Sequence, residues 1–142
     1  VIALSPSARH ADSASGLAQR FGHVHLPFFG ITGSRDDGMG LSDISAANRE
    51  LPYRHMPAGL GGPDKYLLVF GGGNHLDFAG QASHAETAMF AIRREPAAFH
   101  ANLLAAGTAF WQAHLAGDAA AARWLVTDLP GRLRPIDRFE FK

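Results

Sequence analysis

The chain contains no cysteine and no long apolar run. Without cysteine, these 142 residues form neither a disulfide nor a zinc–thiolate site, and they offer no cysteine nucleophile. No apolar run approaches the ~20 residues that a membrane-spanning helix needs, so we expect no membrane span. Thirteen Lys and Arg residues balance thirteen Asp and Glu residues. This balance gives no electrostatic reason to expect nucleic acid or an anionic membrane as a partner.

The composition is that of a globular protein, with 46% hydrophobic and 18% charged residues. A chain of this length can form one domain and bury roughly two-thirds of its unfolded surface. It begins at Val1, directly in a strand-like run and without a methionine. We therefore expect a truncated N-terminus. The sequence then predicts neither the compartment nor whether a signal peptide preceded this chain.

Short apolar runs alternate with helical patterns along the chain. Runs bounded by proline or glycine predict strands at 1–5, 28–32 and 65–70. Capping residues and apolar spacings of three and four predict the helices between and after them. The first predicted helix covers 16–21 after a Ser13 or Ser15 cap, and the second covers 44–50 after an Asp43 cap and stops before Pro52. A third helix starts at Glu95-Pro96, and a fourth covers 119–125 after Gly117-Asp118. The third helix carries an apolar stripe formed by Phe99, Leu103, Gly107, Phe110, Trp111, His114 and Leu115.

This alternation predicts an α/β layer fold with a parallel sheet. The strands are apolar without alternation, as expected when helices cover both faces of the sheet. The tail after Leu129 is predicted to be irregular. Three parallel strands make a poor independent sheet, because an edge strand exposes unpaired backbone groups. We therefore expect residues 1–142 to be the C-terminal part of a single, incomplete domain.

An acid and a histidine follow the second and third predicted strands. Asp36 comes three residues after the turn glycine Gly33, and His75 follows the run Gly71–Gly73. Because parallel strands point the same way, both side chains are expected at one edge of the sheet. An acid followed by a histidine is the order of the last two members of a Ser…Asp…His triad in α/β-hydrolases. Asp37 is the rival acid, since a one-residue shift at a strand end changes which carboxylate points inward.

Several segments resemble the C-terminal half of an α/β-hydrolase, nearest to the dienelactone-hydrolase-like and PAF-acetylhydrolase-like esterases. The resemblance extends from Val1 to Leu125. Its segments are Ile2-Ala3-Leu4-Ser5-Pro6, similar to the strand after the nucleophile region; Ile31 to Asp37, similar to the G-x-x-D acid turn; Gly72 to Gly80, similar to the G-x-x-H turn with Asp-Phe-x-Gly after it; and Phe110-Trp111 with Gly117-Asp118, similar to the terminal helix.

The resemblance implies that Asp36 orients His75 and supports it electrostatically. His75 would then act as a general base toward a serine and afterwards as a general acid. It also implies that the substrate is a small-molecule carboxylic ester, cleaved through an acyl-enzyme without a metal or organic cofactor.

The serine half of such an enzyme is missing from the sequence. No G-x-S-x-G surrounds any serine, and the oxyanion hole that accompanies this motif is missing with it. We expect the nucleophile upstream of Val1, in an N-terminal half of the same fold, and we expect this polypeptide alone to be inactive. The serines tested against the motif are Ser5, Ser7, Ser13, Ser15, Ser34, Ser42, Ser45 and Ser83.

Two other functions are compatible with the sequence. A non-catalytic scaffold or binding protein could keep this half-fold. For the Asp36-Asp37 pair taken alone, the alternative to a catalytic acid is a solvated turn. A metal-dependent hydrolase would use His23 and His25, which share one face of an extended segment but have no convincing third ligand. His84 is a weaker candidate for the catalytic base.

Overall fold

The computed structural model describes residues 1–8, 13–37, 44–79 and 97–142. Within these residues the chain forms an α/β fold around a mostly parallel four-stranded sheet in the order β1-β2-β3-β4. Strands β1, β2 and β3 are parallel to one another, whereas β4 is antiparallel to β3. The strands are β1 (Ile2–Leu4), β2 (Phe28–Arg35), β3 (Lys65–Asn74) and β4 (Arg138–Phe141).

Five α-helices and two 3-10 helices flank the sheet in the described part of the chain. Ser13 caps α1 with its side chain, which accepts a hydrogen bond from the Gly16 amide, and Asp118 caps α4 in the same way. The helices are α1 (Ala14–Phe21), the first 3-10 helix (Ala46–Arg49), α2 (Leu51–His55), the second 3-10 helix (His75–Ala79), α3 (Ala97–Leu115), α4 (Ala119–Thr127) and α5 (Leu129–Arg132).

Helices cover both faces of the sheet, as the apolar strands predicted. On one face, Phe29, Ile31 and Phe70 belong to a core with α3, α4 and α5, whose members include Phe99 and Phe110. On the other face, the alternate strand residues pack against α2 and its C-terminal end. The residues of this second core are Phe28, Tyr53, Met56, Leu67 and Val69, with Phe21 and Val24 beside it.

The structure corrects two of the predicted segments. Pro52 does not stop a helix but lies in the first turn of α2, where its missing N–H costs nothing. The segment after Leu129 is not irregular, because it forms α5 and the edge strand β4. Among the described residues the sheet therefore has four strands where three were predicted. Asp43, Glu95 and Pro96, the predicted cap and helix start, lie outside the described residues.

The predicted stripe of α3 is only partly buried. Phe99 and Phe110 are in the core, but Trp111 is 41% and Leu115 76% exposed. The buried positions of α3 also include smaller residues that the apolar pattern did not single out. These are Asn102, Ala106 and Ala109.

Candidate active site

Asp36 is held at the end of β2 by a tight turn. The Asp36 amide donates a hydrogen bond to the Gly33 carbonyl at 3.1 Å, the contact that closes a β-turn. The turn directs the Asp36 side chain inward, where it is 0% exposed, whereas Asp37 is exposed. The acid selected from the sequence is therefore the buried one of the pair.

A bulge at the end of β3 brings His75 toward Asp36. Gly33 pairs with Phe70 and Arg35 pairs with Asn74, so the register shifts at this point and β3 contains the extra residues. The extra residues are glycines, and Gly72 has a φ of 83°, in a region that side-chain-bearing residues rarely adopt. The Gly72 amide donates to Ser34 Oγ at 2.8 Å, which fixes the bulge to β2.

The bulge also depends on close backbone approaches. A Cβ atom on Gly33 would lie 2.1 Å from the Gly73 carbonyl oxygen. On the other side, Asp137 Oδ1 accepts a hydrogen bond from the Gly71 amide at 2.9 Å, and Arg134 donates to the Gly71 carbonyl at 2.9 Å. The segment before β4 thus clamps the part of β3 that carries the histidine.

The second 3-10 helix, His75–Ala79, sets the direction of His75. Asp77 Oδ2 accepts a hydrogen bond from the Asn74 amide at 2.7 Å, and the Phe78 ring packs on Phe99 of α3 with centroids 5.4 Å apart. Burial is the main reason that the pKa of Asp77 is raised, with the Asp36 charge adding to it; the Asn74 amide and His100 oppose the rise. Through its hydrogen bond with the Asn74 amide, Asp77 stabilises the turn that carries His75.

Asp36 and His75 are in direct contact. His75 Nδ1 lies 3.0 Å from Asp36 Oδ1. An ionised carboxylate only accepts hydrogen bonds, so Nδ1 would be the donor to it, and Nε2 would then be the basic nitrogen of a neutral ring. The His75 side chain is 45% exposed beside a wholly buried carboxylate. A half-exposed imidazole held by a buried carboxylate is an arrangement that can serve as a general base.

Three further side chains hold Asp36, and none of them was predicted from the sequence. Asp36 Oδ2 accepts hydrogen bonds from Ser5 Oγ at 2.5 Å and from Thr32 Oγ1 at 2.8 Å. Arg49 Nε lies 3.3 Å from Oδ1 and donates to the Asp36 carbonyl at 3.1 Å. These contacts compensate the loss of hydration that a buried carboxylate suffers.

Ser5 is part of this support and not a nucleophile for His75 in this arrangement. It has a φ of 49°, a left-handed conformation that costs a non-glycine residue of order 1 kcal/mol. Its amide donates to the Ile31 carbonyl at 2.8 Å and its carbonyl accepts from Arg49 at 3.0 Å. The strained backbone thereby aims Oγ at Asp36.

The described residues contain no group of three His, Asp or Glu side chains arranged to hold a metal ion. His23 and His25 therefore have no third ligand there, and His84 lies outside the described residues. Among the helices of the described segments, none is long and apolar enough to cross a membrane.

Comparison of the chain with protein-family models, curated proteins and solved structures finds no significant match in any of the three.

Proposed function

We propose that this chain supplies the acid and the histidine of a serine-dependent hydrolase of carboxylic esters. The observation that carries the proposal is the 3.0 Å contact between a half-exposed imidazole and a wholly buried carboxylate at the C-terminal edge of a parallel sheet. In this proposal Asp36 fixes the Nδ1–H tautomer of His75. Nε2 then takes the proton of a serine hydroxyl and returns it to the leaving alkoxide.

The finer fold assignment, the C-terminal part of an α/β-hydrolase domain, belongs to the same proposal. It is supported by the order of the acid and the histidine along two neighbouring parallel strands. No serine of this chain lies in a G-x-S-x-G motif, and Ser5 is engaged with Asp36. We therefore place the nucleophilic serine and its oxyanion hole upstream of Val1. The partner of this chain would then be the N-terminal half of the same fold, and no cofactor is required.

The test is hydrolysis of a short-chain p-nitrophenyl ester by the full-length protein and by its His75→Ala variant. We expect the variant to lose activity by about 10³-fold or more, because the proton shuttle is removed. His25→Ala is the matched control, since His25 is an exposed histidine of the loop before β2.

Equal activity in His75→Ala and His25→Ala would overturn the assignment. A full-length protein that hydrolyses no ester would instead favour the scaffold alternative, in which the Asp36–His75 contact is structural.

A further inference from the structure

Arg49 places a positive charge beside the Asp36–His75 pair. Its Nε is 3.3 Å from Asp36 Oδ1, the same oxygen that lies 3.0 Å from His75 Nδ1. The side chain of Arg49 is 8% exposed and that of Asp36 is 0% exposed. Little water reaches the space between them, so the guanidinium and the carboxylate are weakly screened from the ring.

Arg49 is fixed in this position by contacts along its side chain and its helix. Beyond its contact with the Asp36 carbonyl, it donates through Nη1 to the Ser5 carbonyl at 3.0 Å. Its 3-10 helix is held by Asn48, whose side chain accepts from the Ser45 amide at 2.8 Å and whose carbonyl accepts from the Ala8 amide at 3.2 Å. The Arg49 guanidinium is therefore held in a fixed position by the fold.

We propose that Arg49 is a positioning residue that offsets the Asp36 charge felt by His75. An uncompensated buried carboxylate raises the pKa of an adjacent imidazole, whereas a cation at the same oxygen opposes the rise. A base that is already protonated at the working pH cannot accept a proton. Arg49 thus lets Asp36 fix the tautomer of His75 while limiting how strongly the carboxylate favours the charged form of the ring.

The opposing effects of Arg49 and Asp36 on His75 do not depend on catalysis. Their role in keeping His75 available as a base rests on the function proposed above. The elements that meet here carry other charged or titratable groups, and these are the same in every variant compared below. Within the described segments they are Arg35 and Asp37 at the end of β2, Asp77 in the second 3-10 helix and His100 on α3.

The test is an NMR titration of the His75 imidazole nitrogens in the full-length protein and in four variants. Arg49→Gln should raise the His75 pKa by about one unit or more, and Asp36→Asn should lower it by a similar amount. The double variant has lost both charges, so its pKa should return to within about half a unit of the wild-type value. Arg49→Lys keeps the charge and should also stay near the wild type.

A double variant whose His75 pKa falls as far as in Asp36→Asn would overturn the proposal, because Arg49 would then serve packing alone. So would an unchanged pKa in folded Arg49→Gln, or Arg49→Lys behaving like Arg49→Gln. The double variant leaves no unpaired buried charge, so its pKa decides the question even where Arg49→Gln does not fold.

The titration also separates this proposal from the function it rests on. If the expected pKa pattern were found in a protein without esterase activity, the role of Arg49 would stand and the proposed hydrolase function would be contradicted. In an active enzyme, Arg49→Gln should move the acid limb of the kcat/KM profile to higher pH, whereas loss of fold alone would lower activity without moving that limb.

Discussion

The two ends of the sheet both bury charged side chains, but they pair them in different ways. At the end where β3 begins, Lys65 is 1% exposed and its ammonium group lies 2.7 Å from the carboxylate of Asp64, the preceding residue. At the opposite end, the partners of Asp36 include Ser5 and His75, which are 31 and 39 residues away along the chain.

This difference separates a structural ion pair from a candidate site. Two adjacent residues of opposite charge, such as Asp64 and Lys65, can pair within one loop without contacts from the rest of the fold. The bonds on Asp36 require β1, β2, the first 3-10 helix and the turn after β3 to converge, and they leave one imidazole 45% exposed. Such a convergence of distant segments can hold a solvent-accessible imidazole in one fixed geometry, and catalysis needs reacting groups to be held in this way.

The largest expected effect contrasts the two carboxylates. Asp36→Asn should lower kcat by about 10³- to 10⁴-fold in the full-length protein, because the amide no longer holds the correct imidazole tautomer. Asp64→Asn should leave kcat within about threefold, yet lower the free energy of unfolding by about 2 kcal/mol, because the buried Lys65 charge loses its partner. Ester hydrolysis and urea unfolding measure the two effects. Similar losses of kcat in both variants would erase the distinction between the two ends.

A second prediction concerns the backbone that carries the histidine. Gly33→Ala should lower the free energy of unfolding by more than about 2 kcal/mol, because its new Cβ would lie 2.1 Å from the Gly73 carbonyl oxygen. Gly61 is the matched control: a Cβ there meets nothing within 4 Å, so Gly61→Ala should change stability by no more than about 0.5 kcal/mol. Equal effects of the two substitutions in urea unfolding would show that β2 and β3 do not approach as described.

A third prediction tests the clamp on Gly71 through its pH dependence. Burial would raise the pKa of Asp137, but hydrogen bonds from the Arg134 side chain and from the Gly71 and Arg134 amides outweigh it and hold the pKa below its usual value. A carboxyl whose folded pKa is depressed stabilises the fold above its unfolded pKa of about 3.8, and this contribution is lost as the pH falls through the lower folded pKa.

Asp137→Asn should therefore lower the free energy of unfolding by about 1–2 kcal/mol at pH 7, with a deficit that shrinks below about pH 4. The wild type, unfolded at the same pH values, is the comparison. A deficit that stays constant down to pH 2 would contradict the ionised clamp.

The smallest expected effect lies at the opposite end of the sheet. Burial is the main reason that the pKa of His114 is lowered, with Lys65 and the N-terminal amine adding to it and Asp64 opposing it. A depressed histidine pKa stabilises the fold above pH 6.5 and loses that contribution as the pH falls through the folded pKa. Relative to His114→Gln, the wild type should thus lose Tm as the pH drops below 6.5. His25→Gln, at an exposed histidine, should keep the wild-type dependence of Tm on pH. If His114→Gln also kept it, His114 would not be the cause of this pH dependence.

The sequence was enough to predict features with a local signal. The parallel strands, the helices on both faces and the caps at Ser13 and Asp118 follow from periodicity and turn chemistry, and the structure confirms this coarse α/β arrangement. Asp36 and His75 were selected because each follows its own strand, and the structure brings them together.

The remaining features depend on tertiary contacts. Nothing around Arg49 in the sequence indicates that its guanidinium lies against a carboxylate 13 residues earlier, or that Ser5 adopts a positive φ. Thr32 gave a usable signal, as a polar residue within a buried strand. The alternating Arg138–Phe141 segment also gave one, but the Pro- and Gly-containing stretch before it favoured an irregular tail.

The central claim is most directly tested by labelling the full-length protein with a fluorophosphonate, which reacts with activated serines, and locating the adduct by mass spectrometry. We expect one labelled serine outside this chain, with a labelling rate that falls by orders of magnitude in His75→Ala and stays unchanged in His25→Ala. An unlabelled protein, or a serine whose labelling is indifferent to His75, would contradict the claim.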